Sequence, residues 1–593
     1  MHKYHHEILS LSITIFLGLI CLPSTIAQSS PVTIVGNIQN TTGFTVPYVW
    51  GTHTFWDWHT FLIDPIPSEI HTYYPWLQEI ELFTATGGCY VGYPGCSSNR
   101  DLFIDPAIGP SSGYNFTLWL QAIKNIVNSN FNVYIVTANI PISLSTTPTI
   151  GGFAFNSALP SNYTIYREFI TAMAQALVNE LGLSIVSQFK FGVFTEYNNL
   201  DWLNATADEY FQLYDYTACA LEDVLGIGNV RIGGHACTQC EPGIHGGNGW
   251  HAADLLTHVI NGPNYCDNTR PVPLKFLADS FYETRAGSPG DLLWVKSDVL
   301  PLIQTAQTIV QNNPRLEGLL YGIDEGRILL GPASEGTNLA LTTRAVGATY
   351  QATFDALLCK IMLYNNMSWY SRWNVNSDMS TGLWTFQSHA VDTVATNVAH
   401  LTYRMYNGKL VNINNITTPS TDSTVLDGHQ AIDAIVTYHP SSSSNSIIRV
   451  LGFNHYSLAD DNIGPDALFS LNICGISTKS NNNINLITNI TRIDSNHSQF
   501  WNTWWEDKQM NNITKVNGGW SAYSDGISFD VPENQTYFNS RVPYYQSLAA
   551  LQTTILPSNS IILTTNGCIT TNNNPITIPT HGIILLEITL PLN

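Results

Sequence analysis

The sequence predicts an α/β fold, a (β/α)8 TIM barrel, followed by an antiparallel β-sandwich. Strand and helix patterns alternate from residue 79 to residue 406, which is typical of parallel strands with helices outside them. Several predicted strands end in polar or acidic residues, and these barrels carry reactive groups at the carboxyl ends of their strands. Beyond about residue 407, short β-branched segments alternate with Asn- and Ser-rich turns, which indicates a sandwich.

The N-terminus predicts a secretory signal. Lys3 precedes an apolar run over residues 8–22, and a small-residue cleavage site follows, so we expect residues 1–27 to be removed. Residues 28–46 form a strand-like segment, either separate or part of the accessory sheet. Since no later run predicts a membrane span, we expect a secreted or lysosomal (vesicular-lumen) product.

The sequons and the cysteines are consistent with a secretory route. The Asn-X-Ser/Thr sequons, expected in glycosylated surface loops, begin at Asn40, Asn115, Asn162, Asn204, Asn366, Asn415, Asn489, Asn496, Asn512 and Asn534. Nine of the ten cysteines follow the signal, so at least one is expected to be unpaired or paired between chains.

Two disulfide regions are predicted. Cys89 and Cys96 are close enough in sequence for a local bridge. Cys237-X-X-Cys240 resembles half a zinc site, but no second pair follows, and the secretory route favours a disulfide with Cys266 as partner. We therefore expect no metal and no cofactor.

The charge balance excludes some partners. Against 23 basic residues the chain has 44 acidic ones, for a formal charge of −21. This makes non-specific binding to nucleic acid or anionic membranes unfavourable, and it also weighs against a polyanionic polymer as substrate.

The barrel elements are expected between residues 47 and 406, with the sandwich over 407–593. Strand patterns cover 79–85, 133–138, 189–196, 230–232, 275–281, 319–323 and 367–373. Helical patterns cover 115–127, 166–181, 207–225, 251–260, 291–310, 338–363 and 390–406. With 367–373 as the eighth strand, 189–196 becomes strand four and 319–323 becomes strand seven.

Two strand ends carry the predicted chemistry. Glu196 ends strand four and Glu325 ends strand seven, so their carboxylates would face one another across the barrel mouth. Two carboxylates about 5–5.5 Å apart are typical of a retaining glycosidase, with one as acid/base and the other as nucleophile. Burial and the neighbouring negative charge would keep the acid protonated. The alternative for Glu196 is a solvated residue that begins a loop.

Other candidates for substrate binding each have a structural alternative. His235 either binds substrate or is hydrogen-bonded behind the site, and Asp324 either orients the Glu that follows it or faces water. Tyr282 and Trp373 either form a platform for a sugar ring or belong to the core. Glu283 either belongs to the site or begins a loop or helix.

The stretch 176–198, which ends in Phe-Lys-Phe-Gly-Val-Phe-Thr-Glu-Tyr-Asn, resembles the helix-plus-strand-four region of glycoside hydrolase family 39. That family contains α-L-iduronidases and β-xylosidases. Residues 113–117, 231–234 and 321–332 carry similar likenesses, and the last two are more similar to the iduronidase branch. The resemblance implies a barrel with a β-sandwich and retaining chemistry, with Glu196 as acid/base and Glu325 as nucleophile.

The resemblance also implies substrate contacts near Glu196. Thr195 stands where the family usually has an Asn that holds the sugar's 2-hydroxyl, and Asn198 ends the same motif. Asn199 corresponds to a His that follows the acid/base in iduronidases. Arg285, after strand six, is the candidate partner for a uronate carboxylate.

We expect a retaining exo-glycosidase of the α-L-iduronidase type with a carbohydrate substrate. A β-xylosidase-like hydrolase of neutral glycosides is the alternative that the acidic composition favours. A non-catalytic carbohydrate-binding protein on a degenerate barrel is the other alternative. Thr195 supports this non-catalytic alternative, which predicts carboxyl groups much farther apart than the retaining distance.

Overall fold

A computed structural model describes the chain from residue 31 to residue 591. It leaves out residues 56–57, 64–65, 90–99, 105–112, 153, 238–248, 284–299, 329–348, 372–390, 418–420, 423–429, 442–444, 457–463, 479–481, 512–531 and 572. The predicted signal peptide, residues 1–27, therefore lies outside the described residues.

Parallel strands form the barrel of the chain. The strands up to residue 328 are β1 Val32–Thr45, β2 Thr52–Phe55, β3 Glu79–Leu82, β4 Phe103–Ile104, β5 Gly113–Tyr114, β6 Asn132–Val136, β7 Lys190–Val193, β8 Arg231–Cys237, β9 Phe276–Glu283 and β10 Leu320–Ile328. In the described residues, β2, β3, β6, β7, β8, β9 and β10 form one seven-stranded sheet, and each is parallel to the next. β4 and β5 form a small separate hairpin.

A short extended segment takes the eighth position in this ring. Tyr370 pairs in parallel with Ile323 of β10. On its other side, the Tyr370 amide donates to the carbonyl of Val49, just before β2, at 2.6 Å. These contacts connect the last strand to the first, so the predicted barrel is confirmed.

Helices follow the strands around the ring. They are α1 Thr60–Ile63, α2 Ile70–Tyr73, α3 Thr117–Asn128, α4 Tyr163–Leu181, α5 Leu183–Val186, α6 Ala207–Leu225, α7 Ala252–Asn261, α8 Leu300–Gln311, α9 Thr349–Tyr364 and α10 Val394–Arg404. The sequence explains their ends: α6, for example, begins at a capping box between Thr206 and Glu209 and ends at Gly226, whose φ is 95°. The predicted parts 291–299 and 338–348 lie outside the described residues.

Large side chains fill the barrel interior and require glycine on the facing strands. A Cβ on Gly192 would lie 2.9 Å from the Tyr134 ring, and one on Gly322 would lie 2.2 Å from the Trp369 ring. Both distances are shorter than van der Waals contact, so these strand positions exclude larger residues.

The second unit is a β-sandwich with a helical insertion. Its strands are β11 Lys409–Thr417, β12 Thr421–Asp422, β13 Gln430–His439, β14 Ile447–Tyr456, β15 Ala467–Cys474, β16 Ile484–Asn485, β17 Thr488–Ile493, β18 Thr553–Ile555, β19 Ile562–Leu563, β20 Ile569–Thr570, β21 Ile576–Ile578 and β22 Ile583–Thr589. Two helices that the sequence did not predict, α11 Trp501–Met510 and α12 Pro532–Ala549, lie between β17 and β18. Pairing is antiparallel except that β1 lies parallel to β15 and antiparallel to β11.

Helix α9 packs against both units, which explains why apolar residues occur on all its faces. Its Tyr364 hydroxyl donates to the Val411 carbonyl at 2.8 Å. Thr353 is hydrogen-bonded to His455 of β14 at 3.0 Å, and Lys360 forms an ion pair with Asp433 of β13. The sandwich therefore packs directly on this helix of the barrel's outer layer.

The disulfides correct one prediction. Cys266 pairs with Cys219, not with the Cys237-X-X-Cys240 segment, because the buried side of α6 presents Cys219 to the turn that contains Cys266. Cys474 and Cys568 form a further bridge. Cys89 and Cys237 are also disulfide-bonded, whereas Cys96 and Cys240 lie outside the described residues. Among the described cysteines, Cys359 is free and buried.

The sequons differ in accessibility. The exposed ones are Asn40, Asn162, Asn204, Asn366 and Asn496, while Asn115 and Asn489 are half-buried. Asn512 and the side chains of Asn415 and Asn534 lie outside the description. Over the described part of the chain, no helix is both long and apolar enough to cross a membrane.

Candidate active site

Glu196 lies on a tight turn that follows β7. Phe194 and Glu196 have φ values of 68° and 39°, in the left-handed region that non-glycine residues rarely adopt. The Tyr197 amide donates to the His235 carbonyl at 3.0 Å and holds the turn against β8. Such strained backbone persists where the surrounding structure fixes it, and it clusters at functional sites.

The Glu196 carboxyl is buried among hydrogen-bond donors. Asn199 Nδ2 donates to its Oε2 at 2.7 Å, and the side chains of Ser280 and Trp202 also donate to it. Only 6% of Glu196 is exposed. Burial raises the pKa of Glu196 above its usual range, while these three hydrogen bonds partly offset the increase.

Glu325 reaches the barrel mouth because β10 contains a bulge. Ile323 pairs with Asp279 and Glu325 pairs with Ser280, so two residues of β10 face one residue of β9. In a regular strand, consecutive side chains point to opposite faces, and a bulge changes that alternation. Asp324 and Glu325 can therefore both contribute to the interior, with 0% and 5% of their surface exposed.

Asp324 does not face water. Its Oδ1 accepts a hydrogen bond from Trp369 Nε1 at 2.6 Å, and its Oδ2 accepts one from the Tyr134 hydroxyl at 2.8 Å. Burial raises the pKa of Asp324 to about 6, against the opposing effect of the nearby Lys190 ammonium. The predicted alternative in which Asp324 faces water is therefore wrong.

Glu81 is a further buried carboxyl beside Asp324. Thr54 Oγ1 donates to Glu81 Oε2 at 2.7 Å, whereas Glu81 Oε1 has no hydrogen-bond partner among the described residues. Burial and the negative charges of Asp324 and Glu325 raise the pKa of Glu81 well above its usual range.

His235 lies between these carboxyls. One of its ring nitrogens and one oxygen each of Glu196 and Glu325 all lie within 4.8 Å of one another. The same limit holds for His235 with Glu81 and Asp324. Complete burial lowers the pKa of His235 to about 3, so the ring is neutral.

The same spacing would also suit a cation, but the hydrogen bonds favour another interpretation. Both Asp324 oxygens already accept hydrogen bonds, and the Lys190 ammonium is close enough to lower the pKa of this carboxyl. A second cation would meet that positive charge. These contacts make Asp324 a poor cation ligand, and we interpret the cluster as an acid–base site.

Two predicted substrate contacts are corrected. The Thr195 hydroxyl donates to the Phe83 carbonyl at 3.1 Å, so its single proton is not available to a sugar hydroxyl. Asn198 Nδ2 donates to the carbonyls of Cys237 and Trp250, and its Oδ1 accepts from the Cys237 amide. Both residues are fully buried, and their hydrogen bonds stabilise neighbouring loops.

Four other predicted substrate-binding residues lie, wholly or in their side chains, outside the described residues. Arg285 and Trp373 are not among the described residues, and the same is true of the side chains of Tyr282 and Glu283. The described residues that come together are Glu196, Asn199, His235, Asp324 and Glu325.

Sequence reasoning missed Ser280, Glu81 and Trp202. Ser280 and Glu81 are polar residues inside predicted strands that also contain Asp279 and Glu79, so the sequence did not distinguish them from their polar neighbours. Trp202 carried no signal either, because its side chain reaches Glu196 only through the fold of the loop after β7.

Comparison with known proteins shows a similarity that lies in the barrel. Residues 104–325 match the family model "Glycosyl hydrolases family 39". A β-xylosidase of Geobacillus stearothermophilus is 25% identical over 225 residues, which are 36% of this chain and 41% of that relative. The matched stretch thus spans less than half the length of that curated relative.

Solved structures share the whole fold at low identity. The family 39 enzyme of Xanthomonas axonopodis pv. citri has a TM-score of 0.60 at 14% identity, over 96% of this chain and 100% of that one. A monomeric β-xylosidase of Caulobacter crescentus CB15 has a TM-score of 0.57 at 12% identity, over 95% of this chain and 100% of that one. The bacterial orthologue of human α-L-iduronidase has the same TM-score, 0.57, at 12% identity, over 95% and 84% of the two chains.

The matched stretch begins in β4 and ends at Glu325, so it contains both strand ends that carry the buried acidic pair. Residues 104–325 of the barrel are therefore similar to glycosyl hydrolases of family 39.

Proposed function

We propose that this chain is a retaining O-glycoside hydrolase that releases a terminal sugar by double displacement. The observation that carries the proposal is the spacing of Glu196 and Glu325, whose facing oxygens lie within 4.8 Å of each other. Retaining enzymes hold their two carboxyl groups about 5–5.5 Å apart, whereas inverting enzymes leave about 6.5–9.5 Å for a water molecule. Two oxygens within 4.8 Å of each other agree better with the retaining arrangement than with the inverting one.

In the first step, a Glu325 oxygen forms a bond to the anomeric carbon while the glycosidic C–O bond breaks. Glu196 gives its proton to the departing oxygen. In the second step, the Glu196 carboxylate takes a proton from water, and the water oxygen displaces Glu325 from the anomeric carbon. The raised pKa of Glu196 supports its role as the acid.

A neutral pyranoside is the better candidate substrate. Four carboxyl groups surround His235, those of Glu81, Glu196, Asp324 and Glu325. The ammonium group near them, on Lys190, forms an ion pair with Glu79. A uronate would add another negative charge to this cluster, and the curated relative is named a β-xylosidase.

The iduronide alternative requires a cation for the uronate carboxylate. Arg285 remains its candidate, and the likeness of 321–332 to the iduronidase branch is its support. The non-catalytic alternative predicts widely separated carboxyls, and the spacing of Glu196 and Glu325 argues against it.

Purified wild-type protein assayed with an aryl β-xyloside and an aryl α-L-iduronide tests the proposal. We expect turnover of the xyloside, loss of nearly all turnover in Glu325→Gln, and full turnover in Glu317→Gln, a matched change at an exposed position. Turnover of the iduronide alone would favour the alternative sugar. Full activity of Glu325→Gln would contradict the proposed nucleophile.

A further inference from the structure

Beside the acidic pair, two buried polar side chains on neighbouring strands have no role in the mechanism described so far. His235 on β8 and Ser280 on β9 are 0% and 1% exposed. His235 Nε2 lies 2.6 Å from Ser280 Oγ. A buried hydrogen bond this short, next to a reactive carboxyl, can act on that carboxyl as well as on the fold.

The Ser280 side chain acts on Glu196 too: hydrogen bonding by Ser280 lowers the pKa of Glu196, and a ring nitrogen of its partner His235 lies within 4.8 Å of a Glu196 oxygen. A serine hydroxyl has one proton and accepts through its lone pairs. When Ser280 gives its proton to the ionised Glu196, it can only accept from His235. The ring proton is then on Nε2, and Nδ1 is unprotonated; Nδ1 has no hydrogen-bond partner among the described residues.

We propose that His235 and Ser280 are positioning residues for Glu196: His235 Nε2 donates to Ser280 Oγ, and the Ser280 hydroxyl holds and stabilises the Glu196 carboxylate. This inference rests on the proposed function. It states which residues hold the Glu196 carboxylate after it acts as acid and before it acts as base. The carboxylate form needs this support in the second step, when Glu196 must take a proton from water.

The groups that face Glu196 set the direction of the expected effect. Glu325 from β10 and Asp201 from its own loop are acidic, His235 is neutral, and the donors are Ser280, Asn199 and Trp202. Behind His235 lie Glu81 and Asp324. Since only donors stabilise the charged form, loss of one of them raises the pKa of Glu196.

The pH profile of kcat/KM tests this in the full-length enzyme. Glu196 must be protonated in the first step, so activity falls as pH rises through its pKa, and Ser280→Ala should move this basic limb to higher pH by about one unit. Ser280→Thr keeps the hydroxyl and should restore the wild-type limb. His235→Gln keeps a donor near the Nε2 position and should stay close to wild type, whereas His235→Phe should shift the limb as Ser280→Ala does.

A direct titration separates this inference from the proposed function. In protein labelled with 13C at the glutamate side-chain carboxyl, the signal lost in Glu196→Gln identifies Glu196, and its pKa can be followed without any substrate. We expect this pKa to be higher in Ser280→Ala and in His235→Phe, in the folded protein, even if no tested glycoside is cleaved. An unchanged Glu196 pKa in both variants would overturn the inference, whatever the activity.

Discussion

Lys190 Nζ lies 2.7 Å from Glu79 Oε1 inside the barrel, at the opposite end of β7 from Glu196. Both residues are nearly completely buried, and Glu79 also accepts hydrogen bonds from Thr52 and Asn132. The ammonium lies 4.1 Å from the centre of the Trp369 ring, and Trp369 in turn donates to Asp324. The charge pair at the base of the barrel is thus connected to the acidic residues at its mouth.

Breaking this ion pair should destabilise the barrel. Lys190→Met leaves the Glu79 carboxylate buried without its charged partner, and we expect the free energy of unfolding to fall by about 3–5 kcal/mol. The double change Lys190→Met with Glu79→Gln should recover much of this loss. Denaturant unfolding measures both, with Lys124→Met as control, because the Lys124–Glu180 pair is exposed and should contribute less than about 1 kcal/mol. Equal effects at Lys190 and Lys124 would contradict the account.

Removal of the acid should be rescued by an external nucleophile. Glu196→Ala loses both proton donor and base, so we expect a loss of about 10²–10⁴-fold in turnover for a poor leaving group. An aryl glycoside with an activated leaving group should still form the glycosyl–Glu325 ester. Added azide should then restore turnover and give a glycosyl azide with the substrate's configuration. Azide rescue of Glu325→Ala with that same configuration would reverse the assigned roles.

The wild-type pH profile should have a basic limb that belongs to Glu196. Burial raises the pKa of Glu196 above its usual range, so the proton needed for the first step is kept above the pH at which a solvated glutamate loses it. Activity is present below this raised pKa and is lost as pH rises through it. In Glu196→Gln, measured with an activated leaving group, the basic limb should disappear. A limb that persists there would belong to another group.

Much of this site could be predicted from strand ends alone. The sequence places Glu196 and Glu325 at the ends of predicted buried strands, and parallel strands bring their carboxyl ends to one edge; in the structure, Glu325 lies within β10. The bulge at Asp324 was not predictable, because the β9–β10 register depends on packing that periodicity does not describe. Thr195 was misread for a similar reason, since its hydrogen bond to Phe83 depends on a loop conformation.

The disulfide pattern shows the same limit. The odd cysteine count predicted an unpaired residue, and Cys359 is free, but the partner of Cys266 is 47 residues away in sequence on α6. Spacing favours nearby pairs, whereas the fold decides which sulfur atoms meet.

Thiol labelling before reduction should distinguish the free Cys359 from the disulfide-bonded cysteines. Burial keeps it from reagent in the folded protein and raises the pKa of its thiol well above the usual range. In guanidinium without reductant, we expect iodoacetamide to modify Cys359 but not Cys219, Cys266, Cys474 or Cys568. Peptide mass spectrometry checks this, and the same four residues should become modified after reduction. Label on Cys219 before reduction would contradict the bridge to Cys266.

In the proposed mechanism, Glu325 forms a covalent bond to the sugar while Glu196 acts as the acid/base. This assignment is tested most directly by incubating the enzyme with the 2-deoxy-2-fluoro form of a glycoside that it hydrolyses, followed by digestion and mass spectrometry. We expect one fluorosugar adduct on the peptide that contains Glu325, and none in Glu325→Gln. An active wild-type enzyme that forms no adduct, or that carries it on Glu196 or Glu81, would rule out Glu325 as the nucleophile.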